Sequence, residues 1–318
     1  MIDKRLAGLS LLMAVATAHA EKAYVPNEGS GTLSVIDVDT LKPEAGSPIP
    51  QQGTIGQKIR GVAASEDGRT LYVVDARGNA LLEVDAGSGQ VLKKLDDIKG
   101  AEGLQRSPDG RWLAACSEDA NQAVVVDAAS FTVAFRVPVQ GQNPEHCVFS
   151  PDGKWLLAGN EQSHDIDVID FDARKSVMRV KTTGAARGMG FLPDGKRVYV
   201  ADEAGGTIDV ISTDDWKLIK AIPTELRPAG IIVSRDGKRV YATNGGAGTV
   251  SIIDTASNTV LASVPVGKRP WNMALSHDGS KLFVANGRSD SVSVIDTRKA
   301  KVIATIPVGK LPWGVVIP

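Results

Sequence analysis

The sequence predicts an all-β fold, a seven-bladed β-propeller with four antiparallel strands per blade. Two observations predict it. A turn of the Ser-Pro-Asp-Gly kind recurs with its glycine at 68, 110, 153, 195, 237 and 279, in steps of 42 or 43 residues. A strand end of the Val-Ile-Asp kind recurs at 37, 85, 127, 170, 212, 254 and 296, with serine at 212. Six turns against seven strand ends means that the chain enters and leaves its ring inside one repeat.

The first element is not part of the ring. "MIDKRLAGLSLLMAVATAHA" has Lys4 and Arg5, a short apolar run over 6–16, and Ala18-His19-Ala20 as a small-x-small site. That pattern predicts a signal peptide cleaved after Ala20. The run is too short to span a bilayer, so no membrane anchor is expected after cleavage. Residues 21–318 are then expected to form a single propeller domain in the periplasm or outside the cell.

Within each repeat the elements follow one plan. A short apolar strand runs into Ser-Pro-Asp-Gly, where proline fixes φ at the second place of a type I turn. An aromatic and β-branched run follows, such as "RVYVAD" or "KLFVAN". A loop of Gly, Asn, Ser and Asp comes next, then an alternating strand such as "SVSVID", then one such as "KVIATIPV". No segment shows a helical period.

The ends complement each other. "KAYVPNEGSGTLSVIDVDT" supplies second and third strands, and "LPWGVVIP" at 311–318 echoes the first-strand segment "RPWNMALS" at 269–276. Six whole units and one shared unit make seven blades. The C-terminal strand is expected to join the N-terminal blade and close the ring, removing a free sheet edge. The first interval is 48 residues, and its excess falls in "KPEAGSPIPQQG", an expected surface loop.

Net charge is −1, which offers no general grip on nucleic acid or anionic lipid. The two cysteines, Cys116 and Cys147, have no CxxC or CxxCH context. Neither zinc nor covalent haem is implied. A disulfide between them and two buried thiols are both compatible with the sequence.

"YVPN" at Tyr24, "YATN" at Tyr241 and "FVAN" at Phe283, each followed by a strand like "SVSVID", resemble the YVTN-type propeller repeats. The resemblance covers the whole chain after residue 20 and implies the propeller fold. The leader, the seven repeats, "VGKRPWNMALS" and "VGKLPWGVVIP" also resemble periplasmic propellers associated with pyrroloquinoline-quinone-dependent alcohol catabolism. That resemblance implies an accessory role beside a quinoprotein dehydrogenase, without a reaction of its own.

Candidate site residues come from position in the repeat. The first strand is innermost, so its start rims the central channel. Eight residues before each turn glycine stand Arg60, Glu102, Glu145, Arg187, Ala229 and Trp271, with Trp313 at the same place in the closing strand. His146 follows Glu145 where most blades have glycine. Arginine suits carboxylates and tryptophan suits planar rings, so this rim is the expected ligand site. His146 and His164 are weaker candidates for a metal or haem, since no ligand spacing is diagnostic. The recurring aspartates read as turn chemistry. His277, in "SHDG", reads as a turn residue on the opposite face. Trp112 and Trp155 read as core.

Four function classes remain open. The leading one is a non-enzymatic binding or accessory protein taking a small anionic ligand or a quinoprotein dehydrogenase partner. A lactonase-like hydrolase would use Glu102, Glu145 and His146. A quinoprotein dehydrogenase is disfavoured, because the repeats lack its tryptophan-docking motif. A protein-interaction scaffold is the fourth. No catalytic residue is assigned, and the cofactor is left open between pyrroloquinoline quinone, haem and none.

Overall fold

A computed structural model describes residues 21–318; the expected signal peptide, 1–20, lies outside the described residues. The chain is all-β, with six four-stranded antiparallel sheets and a three-stranded one. Blades one to six begin with the inner strands Ile59–Ala64, Ala101–Arg106, Pro144–Phe149, Ala186–Phe191, Pro228–Val233 and Pro270–Leu275. Each next pairs with a nearly all-buried second strand, such as Arg197–Asp202 or Lys281–Asn286. The outermost strands, such as Thr259–Pro265, are largely exposed. Core therefore lies between blades, where Val, Ile, Leu and aromatic side chains of neighbouring sheets interleave. One such cluster joins Ala23, Val25 and Ile36 to Phe283, Val292 and Ile306 across the seam.

The turns form as the sequence dictates. Glycine N–H donates to the residue three before it, as in Gly110 to Ser107 at 2.8 Å and Gly279 to Ser276 at 2.9 Å. The six turn glycines have φ between 67° and 73°, which a side chain would strain. Strand-end aspartates accept backbone N–H groups, as Asp37 does from Thr40 at 2.6 Å and Asp170 from Ala173 at 2.9 Å. Their recurrence is turn chemistry. His277 sits in its turn, with its backbone N–H on Glu21 at 2.7 Å.

The seventh blade contains Lys22–Asn27, Thr32–Asp37 and the two-residue strand Lys42–Pro43. The C-terminal segment lies along its first strand. Tyr24 and Val316 exchange backbone hydrogen bonds at 2.9 Å each, and Trp313 N–H donates to Pro26 at 2.9 Å. Tyr24 opposite Val316 repeats the register of Phe283 opposite Ala274 in the sixth blade.

The 42–53 insertion and the residues after it depart from the expected surface loop. Ile49 exchanges backbone bonds with Leu33 at 2.8 Å, and Ile49 and Ile55 are buried beside the first blade. With the outer strand cut to two residues before Glu44, the insertion takes over its backbone pairing. Trp112 and Trp155 also differ: both are half-buried, packed against outer aromatics such as Phe171 and Trp216. Cys116 and Cys147 form a disulfide, with Cα atoms 5.5 Å apart. It ties the second strand of blade two to the inner strand of blade three.

Candidate functional site

Local irregularity builds the rim. Every named inner strand pairs with its neighbour through a register shift at its start, for example between Ala186 and Met189 and between Pro270 and Met273. Such bulges re-aim a side chain and end regular pairing. The residues at the shift include Arg60, Glu102, Glu145, Arg187, Ala229 and Trp271. The glycine that follows the rim residue in blades one, two, four and five allows the strands to converge. A Cβ on Gly61 would sit 2.4 Å from the Glu102 carbonyl, and one on Gly230 2.4 Å from that of Trp271.

The structure brings the charged rim residues together as an ion-pair belt. Arg60 bonds Glu102 and, at 3.1 Å, Glu28. Arg187 bonds both Glu145 and Glu203, with Glu161 at 3.8 Å and Glu102 at 3.9 Å. Glu203 also takes Arg269 at 3.0 Å and Arg227 at 2.6 Å.

Sequence reasoning missed Glu28, Glu203, Arg227 and Arg269 of this belt. Glu28, Glu118, Glu161 and Glu203 share one repeat position, the residue after the second strand. The same position holds Ala76, Gly245 and Gly287 in the other blades. That column was readable, but each glutamate sits in a polar loop and resembles solvated turn composition. Gly287 has a separate reason: a Cβ there would lie 2.5 Å from the Trp271 ring. Trp271 thus occupies the space that other blades give to a glutamate.

The aromatic residues meet differently. His146 stacks on Trp313, with centroids 5.8 Å apart and planes 11° apart. Blades three and seven stand three places apart, so the stack reaches across the channel. Trp313 is buried and Trp271 half-buried. Ala229 is buried and adds no charge.

Burial changes the chemistry of these groups. It pushes Glu145 up to about 7; Arg187 opposes the rise, and Glu161 and Glu203 add to it. Glu118 rises to about 7, from burial and the charge of Glu145. Burial, with Arg187 and Arg60 nearby, takes His146 down to about 3, so its ring is neutral. Glu203 goes the other way. Burial opposes its charge, but Arg187, Arg269 and Arg227 prevail and hold it at about 2. Burial likewise opposes the Arg187 charge, and Glu145 and Glu203 outweigh it.

Several atoms here remain unpartnered. Among the described residues, nine buried side-chain polar atoms lack a hydrogen bond. Four of the nine belong to the rim: Glu145 Oε2, both His146 ring nitrogens and Arg187 Nε. Among the described residues, the group whose ligand atoms converge as a metal would require is Glu102, Glu118 and Glu145, within 4.8 Å of one another. It includes neither His146 nor His164, and His164 is exposed in its loop.

The donor set does not fit the implied cofactors at this rim. Pyrroloquinoline quinone carries several carboxylates, yet Arg60 and Arg187 are already engaged by glutamates and Glu118 faces the same space. A haem needs room for its macrocycle beside the ligating imidazole, and the His146 ring is already stacked on Trp313.

A YNCE-like β-propeller family model matches residues 113–275, just over half of the 318-residue chain. No curated protein matches the sequence. Solved structures share the fold. A functionally unknown protein from Desulfotomaculum acetoxidans superposes with TM-score 0.81 at 18% identity, covering 94% of this chain and 99% of that one. Dihydro-heme d1 dehydrogenase NirN, in complex with DHE, gives 0.70 at 18% identity, covering 97% and 78%. Kuenenia stuttgartiensis hydrazine synthase gives 0.72 at 21% identity, covering 80% and 88%. At such identities the likeness is one of fold, and propellers host many activities. By the family match over half its length, the chain belongs to the YNCE-like β-propellers.

Proposed function

We propose that this chain is a periplasmic, non-enzymatic binding propeller whose ligand or partner docks at the channel mouth on the face where the inner strands start. One observation carries the reading: four unpartnered buried polar atoms are concentrated on Glu145, His146 and Arg187. Leaving a buried donor or acceptor unmade costs about 1–3 kcal/mol, so a fold keeps such atoms where something else satisfies them. Trp271, at the same repeat position in blade six, offers a half-buried flat face on the same rim. The signal sequence supports export, and the Cys116–Cys147 disulfide suits an oxidising compartment. An accessory role beside a quinoprotein dehydrogenase rests on the sequence resemblance alone. Because the rim arginines are internally paired, the mouth favours a neutral or hydrogen-bond-donating ligand over a polycarboxylate.

The test is native purification from the periplasm, with mass and absorption spectra of whatever is released on denaturation. The released compound is then titrated into wild type, Trp271→Ala and Arg187→Ala. Loss of binding by Trp271→Ala with an unchanged melting temperature supports the mouth. Wild-type affinity in both variants removes it.

A further inference from the structure

A second feature lies away from the belt's acidic side. On the fifth and sixth blades an open groove of about 640 Å³ is lined by Arg227, Lys268, Arg269 and Arg288, together with the loop Gly245–Gly248. No carboxylate lines it. The neighbouring acids are engaged: Glu203 holds Arg227 and Arg269, and Glu225 accepts the hydroxyls of Thr249 and Ser263. Lys268 and Arg288 are exposed, and neither has an ion pair among the described residues. Their backbones are joined by the Arg288 N–H to Lys268 carbonyl bond at 3.0 Å, which sets the two side by side.

The repeat explains the imbalance. Blades two, three, four and seven carry glutamate after the second strand, whereas blades five and six carry Gly245 and Gly287. Blades five and six therefore supply no glutamate of their own here: Arg227 and Arg269 share Glu203 of blade four, and Lys268 and Arg288 are left without an ion pair among the described residues. Gly245 is also sterically apt, since a Cβ there would lie 3.1 Å from an Arg269 guanidinium nitrogen. Backbone amides of these loops are already used, Gly245 on Arg227, Gly246 on Leu226 and Val266 on Gly248, so recognition falls to the side chains.

We propose that this groove binds a small polyanion, a molecule with two or more adjacent phosphate or carboxylate groups, through Lys268 and Arg288, with Arg227 and Arg269, two cations that share the one carboxylate of Glu203, adding to the charge. Guanidinium forks and an ammonium suit clustered anionic oxygens. The volume falls within the ordinary range for small-molecule sites. Burial, with the charges of Arg227 and Arg187, works to lower the Arg269 pKa, and an added anion relieves that crowding.

The experiment is calorimetric titration of the 21–318 chain with tripolyphosphate, citrate and inorganic phosphate at one fixed low salt concentration. One saturable site for tripolyphosphate or citrate, tighter than for inorganic phosphate, is expected. The ratio of the two assigns phosphoryl or carboxylate chemistry. Lys268→Ala with Arg288→Ala should weaken binding about tenfold or more, with melting temperature unchanged. Lys268→Gln alone should weaken it less. Lys175→Ala with Lys220→Ala, remote on exposed outer strands, should leave it unchanged. Wild-type affinity in the double variant overturns the site, as does equal loss in the remote control or polyanion binding no tighter than inorganic phosphate. None of these substitutions touches Glu145, Arg187 or Trp271, so the groove and the mouth stand or fall separately.

Discussion

Glu118 and Glu145 share a wall of the channel mouth, and both hold their protons more tightly than free carboxyls do. Between pH 4.5 and about 7 the folded chain therefore binds more protons than the unfolded one, and this pair makes stability fall as pH rises. Glu118→Gln should remove its share, raising the melting temperature at pH 8 by roughly 2–4 °C and hardly at all at pH 4. Equal shifts at both pH values would show that Glu118 is an ordinary solvated acid. His146 has the opposite sign on the acid side. Its depressed pKa costs stability as pH falls from 6.5 towards 3, because only the unfolded chain then gains the proton. His146→Phe should flatten that limb of the stability curve, as read by denaturant melts at pH 4 and pH 7. The first carboxylates of the belt, Glu102 and Glu145, were legible because they share a repeat column with Arg60 and Arg187. The column with Glu28, Glu118, Glu161 and Glu203 was hidden by its loop setting. The His146–Trp313 stack was out of reach, because pairing across a channel depends on the bore and not on sequence spacing.

At the level of strands, the repeat pattern carried almost everything. Turn, second strand and third strand were legible because each has a local cause: proline and glycine in the turn, alternation in the strand. The bulges that aim the rim residues were not, because a register shift leaves no mark in one strand's sequence. The insertion at 42–53 was read as surface from its prolines and glycines, whereas its Ile49 buries itself, as does Ile55 just beyond it. The cysteines left two readings open because Cα separation is not a sequence quantity. With the two cysteines 31 positions apart, Cys116→Ala with Cys147→Ala should cost about 2–4 kcal/mol by freeing the unfolded chain. Urea melts of the variant decide this, and an unchanged midpoint contradicts it. Removing residues 311–318 should cost more. It deletes the segment bonded to Tyr24 and Pro26 and uncovers one side of the Val25 and Phe283 cluster. A melting curve like that of the full chain would mean the seam is held elsewhere.

Around the channel mouth, charge is sorted. The glutamates after the second strands stand on blades two, three, four and seven, whereas at blades five and six Arg227 and Arg269 share Glu203 and Lys268 and Arg288 have no ion pair among the described residues. A net charge of −1 conceals this division. Increasing salt should weaken polyanion binding in the groove steeply, while leaving the partly buried belt nearly unaffected. The seam between first and last blades has a different consequence. Glu21 and Pro318 line the same hollow, so the two ends of the described chain lie on one patch of surface. A short peptide bridge from 318 to 21 would turn the polypeptide into a continuous loop. New ends opened at the Gly195 turn should then give a circular permutant with the same blades, recognisable by an unchanged circular-dichroism spectrum. Such a ring has no intrinsic beginning, and the position of the chain break becomes a free choice for whoever wishes to attach another domain to it.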